Sequence, residues 1–385
     1  MTQLLEIAGD VRDYDWGSVG GISMALGRPF TEAIEAELWL GAHPSLPSRI
    51  LTVDAAYADL AEWERDGHGP VPFLLKVLAA ASPLSLQAHP TPSQAAVGFA
   101  RENAAGVPLD ARERSYKDSS AKPELIVALK DGFEALCGFR PLTETRAAVL
   151  ELAQLAPDAA PFLEWEARLA GNAGGLRGVF EWLLANGPTV RSIVAQIVVV
   201  ASTVEDDRWE LQGRLAAKYP EDPGVAVALM LNHVTLAKGD ALWLPAGNIH
   251  AYLRGVGVEL MGPSDNVLRG GLTSKHVDRD ELSRVLDFSD IVPPLLASTS
   301  VSDGIRSYRP PTTTTGGQVE FQLYDISGPG SLRTASPAIG LVVAGSFSVH
   351  ADQNAAHLDS GQAVLVTHPA DLRIEGDGTL FLASR

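Results

Sequence analysis

Gln87 and His89 stand two apart in a segment that alternates in the strand manner, Leu84 to His89, and side chains two apart on a strand share one face. A helix start follows at once. Thr91 can cap it, Pro92 suits the first turn, and Gln94 comes three after the threonine. The pair therefore sits near a strand end. Lys122 and Glu124 repeat the spacing around Pro123, which pushes Lys122 into an extended conformation, so these two share a face as well. His250 follows the turn Pro245-Ala246-Gly247-Asn248 and opens a strand. Together Gln87, His89, Glu124 and His250 would offer an amide oxygen, two imidazoles and a carboxylate. That donor set suits one divalent cation and leaves a position open for water or a sugar oxygen. By spacing alone a second reading stands beside it: a histidine near a turn is commonly a satisfied polar residue, and glutamine is an uncommon ligand.

Two cations stand out in unusual settings. Arg269 lies just after Asp265-Asn266 and just before Gly270-Gly271, where the backbone can approach a ligand closely. Its planar fork matches a phosphate, and it stays protonated at any working pH and so makes a poor base, which leaves electrostatic work as the expectation. Lys76 interrupts the apolar run Pro72 to Ala81. Desolvation would depress its pKa there, unless the side chain snorkels to the surface.

The elements that must position these residues are legible in outline. The chain reads as strand and loop to about Pro141, with a helix from Thr91 to near Gly106. A helical block follows. Leu176, Val179, Phe180, Leu183 and Leu184 recur with the helical period, Asn186-Gly187-Pro188 stops that helix, and further helices are expected over Thr189 to Ala201 and Asp206 to Lys218. Strands return after Val225. Beyond Phe288 the chain is strand-rich, with sandwich-like strands over Ile339 to Val349 and Gln362 to Val366, and turns at Gly316-Gly317, Gly345, Gly361 and Asp377-Gly378.

Composition narrows the partners. The chain has 385 residues and a formal net charge of −17, which disfavours nucleic acid and means that any anion site must be built from a few local cations. A single cysteine, Cys137, forbids an internal disulfide and reads as a core residue. The most apolar run, Ile193 to Ala201, is too short to cross a bilayer, and the start lacks the pattern of a secretory signal. A cytoplasmic monomer with no membrane association is the expectation.

Several blocks in order resemble one family. Tyr14 to Gly17 (YDWG), Glu37 to Pro44 (ELWLGAHP), Ser85 to Pro90 (SLQAHP), Lys122-Pro123-Glu124 and Leu242 to Lys275 are similar to the conserved blocks of type I mannose-6-phosphate isomerases, over most of residues 10 to 290. Thr91 stands where that family commonly has an acidic or amide residue, and Ser274 where it commonly has proline.

The resemblance implies a mainly β fold with an α insertion: two cupin-like jelly-roll barrels plus a helical domain. Residues 1–140 and 225–290 would form the metal-binding cupin, 141–224 the helical insertion and 291–385 a C-terminal cupin-like unit. It implies one divalent metal ion, zinc, on Gln87, His89, Glu124 and His250. Arg269 would be catalytic, joined by Asp265 and Lys122. Ser85, Lys122 and Lys275 would bind the sugar phosphate, with Lys76 and Glu259 nearby. The implied reaction interconverts mannose 6-phosphate and fructose 6-phosphate through a cis-enediol, feeding mannose metabolism and GDP-mannose supply. The general base stays open among Lys76, Lys122, Glu259, Asp265 and Lys275. A cupin oxygenase, an isomerase of another sugar phosphate and a non-catalytic sugar-phosphate-binding cupin are the competing readings.

Overall fold

The apolar run around Lys76 becomes a strand buried along its whole length, Leu74–Ala80. The computed structural model describes all residues except 1, 54, 172–173, 205, 312–318, 320 and 336. The site is carried by one antiparallel sheet. Besides the short edge strand Val11–Arg12, its strands are β1 (Glu37–Leu40), β2 (Leu74–Ala80), β3 (Gln87–Ala88), β4 (Glu124–Ala128), β5 (Phe133–Phe139), β6 (Leu231–Leu236), β7 (Ala241–Leu244), β8 (His250–Met261) and β9 (Leu268–Arg269). The main path runs β6-β5-β8-β2-β1 and ends on Val11–Arg12, with β4 between β8 and β7 and with β3 between β8 and β9.

β8 is the hub, and it changes neighbours along its length. Its first half, His250 to Arg254, pairs with β5, and His250 faces Gln87 of β3. Its second half runs between β2 and β4. The switch falls at Gly255, whose φ is 119°, in the region that glycine occupies freely. A Cβ there would lie 2.7 Å from the Cα of Phe133, so the close approach of β5 requires glycine.

Strand alternation sets which way the candidate ligands point. Leu86 and Ala88 flank Gln87, and Ile249 and Ala251 flank His250; all four are fully buried in one apolar core with the helices. Their neighbours Gln87, His89 and His250 are thereby turned to the opposite face. The helices packed beneath are α1 (Pro92–Ala104), α2 (Leu142–Leu155), α3 (Ala160–Ala170), α4 (Gly175–Leu184), α5 (Pro188–Thr203) and α6 (Glu210–Lys218). The predicted capping box of α1 is present: Thr91 Oγ1 accepts from the Gln94 N–H at 3.2 Å, and the Gln94 side chain accepts from the Thr91 N–H at 2.9 Å. α6 starts at Glu210 after a 3-10 turn at Asp207–Trp209, and the extended segment before α1 is a regular strand only at Gln87–Ala88. Among the described residues no single helix is long and apolar enough to cross a membrane; the most apolar pair, α4 and α5, meets at 83°.

The C-terminal unit is a second antiparallel sheet, led by Ala338–Ala351 and Asp371–Ser384. The turn expected at Gly316-Gly317 lies outside the described residues. One pairing crosses the expected partition: Leu4–Ala8 joins this sheet, with Leu4 opposite Val366 and Ile7 opposite Ala363. One core also spans both sheets, from Leu75 and Val77 through Leu5 and Ile7 to Leu341 and Phe381.

The helical block grips the loop after Arg269. Asp222 accepts from the N–H of Gly224 at 2.7 Å and from that of Thr273 at 3.1 Å. Gly271 has φ 121°, and a Cβ on it would sit 2.9 Å from the Cα of Gly224. The next residue, buried Leu272, holds φ 51°, a strained value for a bulky side chain. We predict that Gly271→Ala lowers stability by about 1–3 kcal/mol, read as a shifted midpoint in urea with unchanged slope.

Candidate metal centre and active-site cavity

Three buried side chains converge from three strands. His89 Nε2 lies 3.1 Å from Glu124 Oε1, and His250 Nε2 lies 3.2 Å from Glu124 Oε2. The two imidazole rings are 5.2 Å apart. All three ligand atoms lie within 4.8 Å of one another.

The tautomers make this cluster acceptor-only. His89 Nδ1 is 2.7 Å from the carbonyl oxygen of Asn266, and His250 Nδ1 is 3.0 Å from that of Asn248. A carbonyl can only accept, so each Nδ1 carries a proton, and Nε2 is the atom that each ring has left to offer a lone pair to a cation. Burial pushes the His89 pKa down to about 4, which keeps that ring neutral against the pull of Glu124. Burial alone would raise the Glu124 carboxyl, but Lys122 and His89 hold it well below its usual range. Two lone pairs therefore face a carboxylate, and neither Nε2 nor Glu124 Oε2 has a hydrogen-bond partner. Such an arrangement fits a cation at its centre, with carbonyls behind the imidazoles orienting them as metal sites require. Gln87 adds an amide directly opposite His250 in register.

Glu124 opens onto a cavity of about 310 Å³. Ser85, Gln87, Lys122, Arg269 and Lys275 also line it, and so do Lys76, Glu259 and Asp265. His89 and His250 are not in its wall but meet Glu124, which is. Every candidate from the sequence is thus brought to one place.

The charges inside are sorted. Lys122 Nζ sits 3.1 Å from Glu124 Oε1, at the metal end. Lys76 is locked between Glu37 at 3.3 Å and Glu259 at 3.6 Å, with its ammonium 4.6 Å from the centre of the Trp39 ring. Burial would lower its pKa, but Glu37, Glu259 and Glu124 outweigh burial and raise it. The expected depression is reversed, because the apolar strand faces two carboxylates that local sequence did not reveal. Burial and then the Glu124 carboxylate push Glu259 up to about 7, against the pull of Lys76. Asp265 is lowered by its bond to His43, whose Nε2 lies 3.2 Å away while Ser45 N–H donates to Nδ1. Arg269 and Lys275 form no ion pair among the described residues. Burial lowers both, and the Arg269 charge lowers Lys275 further, with Asp15 opposing. Two adjacent uncompensated cations make that end an anion site.

Glu37, Trp39, His43 and Asn266 escaped the sequence reading. A signal existed for Glu37: a lone carboxylate at the head of one apolar strand and a lone lysine in another are natural partners, and Trp39 pairs in register with Lys76. Asn266 ties three segments together. Its side chain donates to the carbonyls of Asp118 and Ser120 and accepts from the N–H of Lys117, while its own carbonyl receives His89.

Fold and site together define a cupin-type metal centre with an anion pocket beside it. The family profile "Phosphomannose isomerase type I, catalytic domain" matches residues 4–142. The mannose-6-phosphate isomerase of Escherichia coli (strain K12) is 33% identical over 97% of this chain and 98% of its own length. That of Rattus norvegicus is 32% identical over 84% and 81%. A histidine-to-alanine variant of the Salmonella typhimurium phosphomannose isomerase superposes with a TM-score of 0.88 at 30% identity over 99% of both chains. A zinc-bound mannose 6-phosphate isomerase gives 0.86 at 30% identity over 99% of both. The chain belongs to the mannose-6-phosphate isomerase family.

Asn266→Ala should weaken metal binding about 10- to 100-fold by loosening the support behind His89, measured by competition with a chromophoric chelator.

Proposed function

We propose that this chain interconverts mannose 6-phosphate and fructose 6-phosphate, with one zinc ion held by Gln87, His89, Glu124 and His250. The observation that carries the reading is the junction of an acceptor-only cluster with a cavity that holds the unpaired cations Arg269 and Lys275. The reaction moves the sugar carbonyl between C1 and C2. A proton leaves C2, a cis-enediol forms, and a proton returns at C1. Bound zinc supplies Lewis-acid stabilisation of the charge that develops on the sugar oxygens.

The chain's own residues do the rest. Lys275 and Ser85 hold the phosphate, whose binding energy orients the reacting end. Arg269, opposite Gln87 in register, lines the cavity and offers its guanidinium to the developing oxyanion. Lys122, tied to Glu124, donates to a sugar oxygen at the metal end. Asp265, fixed by His43, accepts from a sugar hydroxyl. Glu259 is the best-placed proton carrier in energetic terms, since a buried carboxyl near 7 both takes and returns a proton at working pH. Lys76 keeps Glu259 and Glu37 in place. One chain supplies every group named. A cytoplasmic monomer, with residues 1–140 and 225–290 as the metal-binding unit, 141–224 as the helical insertion and 291–385 as the C-terminal unit, completes the proposal.

The decisive experiment couples metal analysis to an isomerase assay. Chelation should abolish turnover, and zinc should restore it. His250→Ala should lose both zinc and activity. Arg269→Ala should keep zinc and lose kcat by about 10²-fold or more; full activity in that variant would refute its assigned role.

A base acts deprotonated, so kcat/KM should fall as pH drops through about 7, the level to which Glu259 is pushed. Zinc charge on Glu124 would move this limb lower. Glu259→Gln should lower kcat by about 10²- to 10⁴-fold and flatten the limb, seen in a pH profile of the purified variant.

A further inference from the structure

A second cavity, of about 470 Å³, lies between α2 and the start of α6, and none of its lining residues lines the active-site cavity. Three of those residues carry a buried polar atom without a hydrogen-bond partner among the described residues: Arg140 Nη2, Trp209 Nε1 and Gln212 Oε1. Trp209 is 4% exposed and Gln212 is 5% exposed. They stand three apart at the head of α6, so their side chains share one face. Arg140 leaves β5 with its N–H bonded to the carbonyl of Met230 at 3.0 Å, and its Nε reaches Thr145 Oγ1 at 3.4 Å. Its outer nitrogen is left over.

A lone water does not account for the site. Water occupies about 30 Å³ in the liquid, and much of this wall is apolar, from Ala147, Ala148, Leu211 and Leu229. The cavity has the size and mixture of a ligand site: apolar body, few polar groups.

We propose that this cavity binds a small monocarboxylate with an apolar body and one hydroxyl donor. The carboxylate accepts from Arg140 Nη2 and Trp209 Nε1, and the hydroxyl donates to Gln212 Oε1. The charge of the site selects a monoanion. Arg208 at the rim is already paired with Glu151 at 2.8 Å and Asp206 at 2.5 Å, and Glu144 adds a negative charge beside Arg140. One free guanidinium in an acidic rim suits a carboxylate better than a phosphate dianion.

The test titrates 4-hydroxybenzoate into the zinc-loaded full chain, followed by ligand-observed NMR. Saturable binding that persists in excess mannose 6-phosphate is expected, with neutral 4-hydroxybenzamide at least tenfold weaker. Arg140→Gln and Trp209→Phe should each weaken 4-hydroxybenzoate at least fivefold while isomerase activity remains, which shows that the fold is intact. Gln212→Leu covers the case in which Arg140→Gln does not fold: it should weaken 4-hydroxybenzoate but not benzoate. Absence of saturable binding, displacement by mannose 6-phosphate, or affinity unchanged in the variants that fold would overturn the proposal.

Discussion

Glu124 holds two carboxylate oxygens against two imidazole lone pairs, and the carbonyls of Asn266 and Asn248 have already claimed the only ring protons available. Each buried polar atom left in that state costs about 1–3 kcal/mol. The cluster is therefore unfavourable until a cation enters, and the binding energy of that cation is in part folding energy. Much of the surrounding architecture reads as support for this repulsive knot. The alanines and aliphatic residues beside Gln87, His89 and His250 are anchored in the helical core. Gly247 N–H bonds to the carbonyl of His89, joining the turn before His250 to the other histidine. Asn266 closes the ring of supports by fixing the loop of Lys117 to Ser120 against the His89 side. A site like this tolerates little rearrangement, because each of the two imidazoles is also held through its second ring nitrogen.

The same logic explains how a chain of net charge −17 can present an anion site. The number of basic residues near the cavity matters less than which of them are left unpaired. Lys76 lies in the wall, yet Glu37 and Glu259 neutralise it and Trp39 covers it. Lys122 is committed to Glu124. Arg269 and Lys275 remain, adjacent and in no ion pair among the described residues. Their mutual repulsion is relieved when a dianion enters, so ligand charge and site charge are complementary over a short range that salt screens weakly. Long-range attraction plays no part, since the mean field of the protein is opposed to it.

Much of this was legible in the sequence where the signal is local. Two-residue spacing pointed to Gln87 with His89 and Lys122 with Glu124, and the latter pair does meet, at 3.1 Å. The cap at Thr91 and the apolar period from Leu176 to Leu184 gave helices close to those observed. What stayed hidden depends on register between distant segments. The trio of Lys76, Glu37 and Glu259 exists because three strands align, and no local pattern states that alignment. The same holds for His43 with Asp265. Leu4–Ala8 carries an ordinary strand pattern, and nothing in it says that its partner lies near the other end of the chain. Lys76 was misjudged for this reason: the pKa of a buried lysine is set by what faces it, and the facing residues are the nonlocal part.

The position of the site follows from the strand that changes partners. Along most of a sheet, neighbouring strands leave no room between them. β8 breaks that continuity at Gly255, where one set of neighbours ends and another begins. Its first half carries His250 toward β3 and β5; its second half carries Glu259 between β2 and β4. Strands that diverge from a shared hub leave a cleft between them, and side chains from each can reach into it without breaking a backbone hydrogen bond. Glu124 enters from β4, Gln87 from β3, Lys76 from β2 and Arg269 from β9, so several branches of one sheet contribute to the site, and the β3–β9 pair carries one residue at the metal end and one at the anion end. The loop after Arg269 is the branch with the least sheet support, since β9 has only two residues. That is where the helical insertion contributes Asp222 and the tight Gly224–Gly271 approach, supplying by packing the rigidity that the sheet does not extend to.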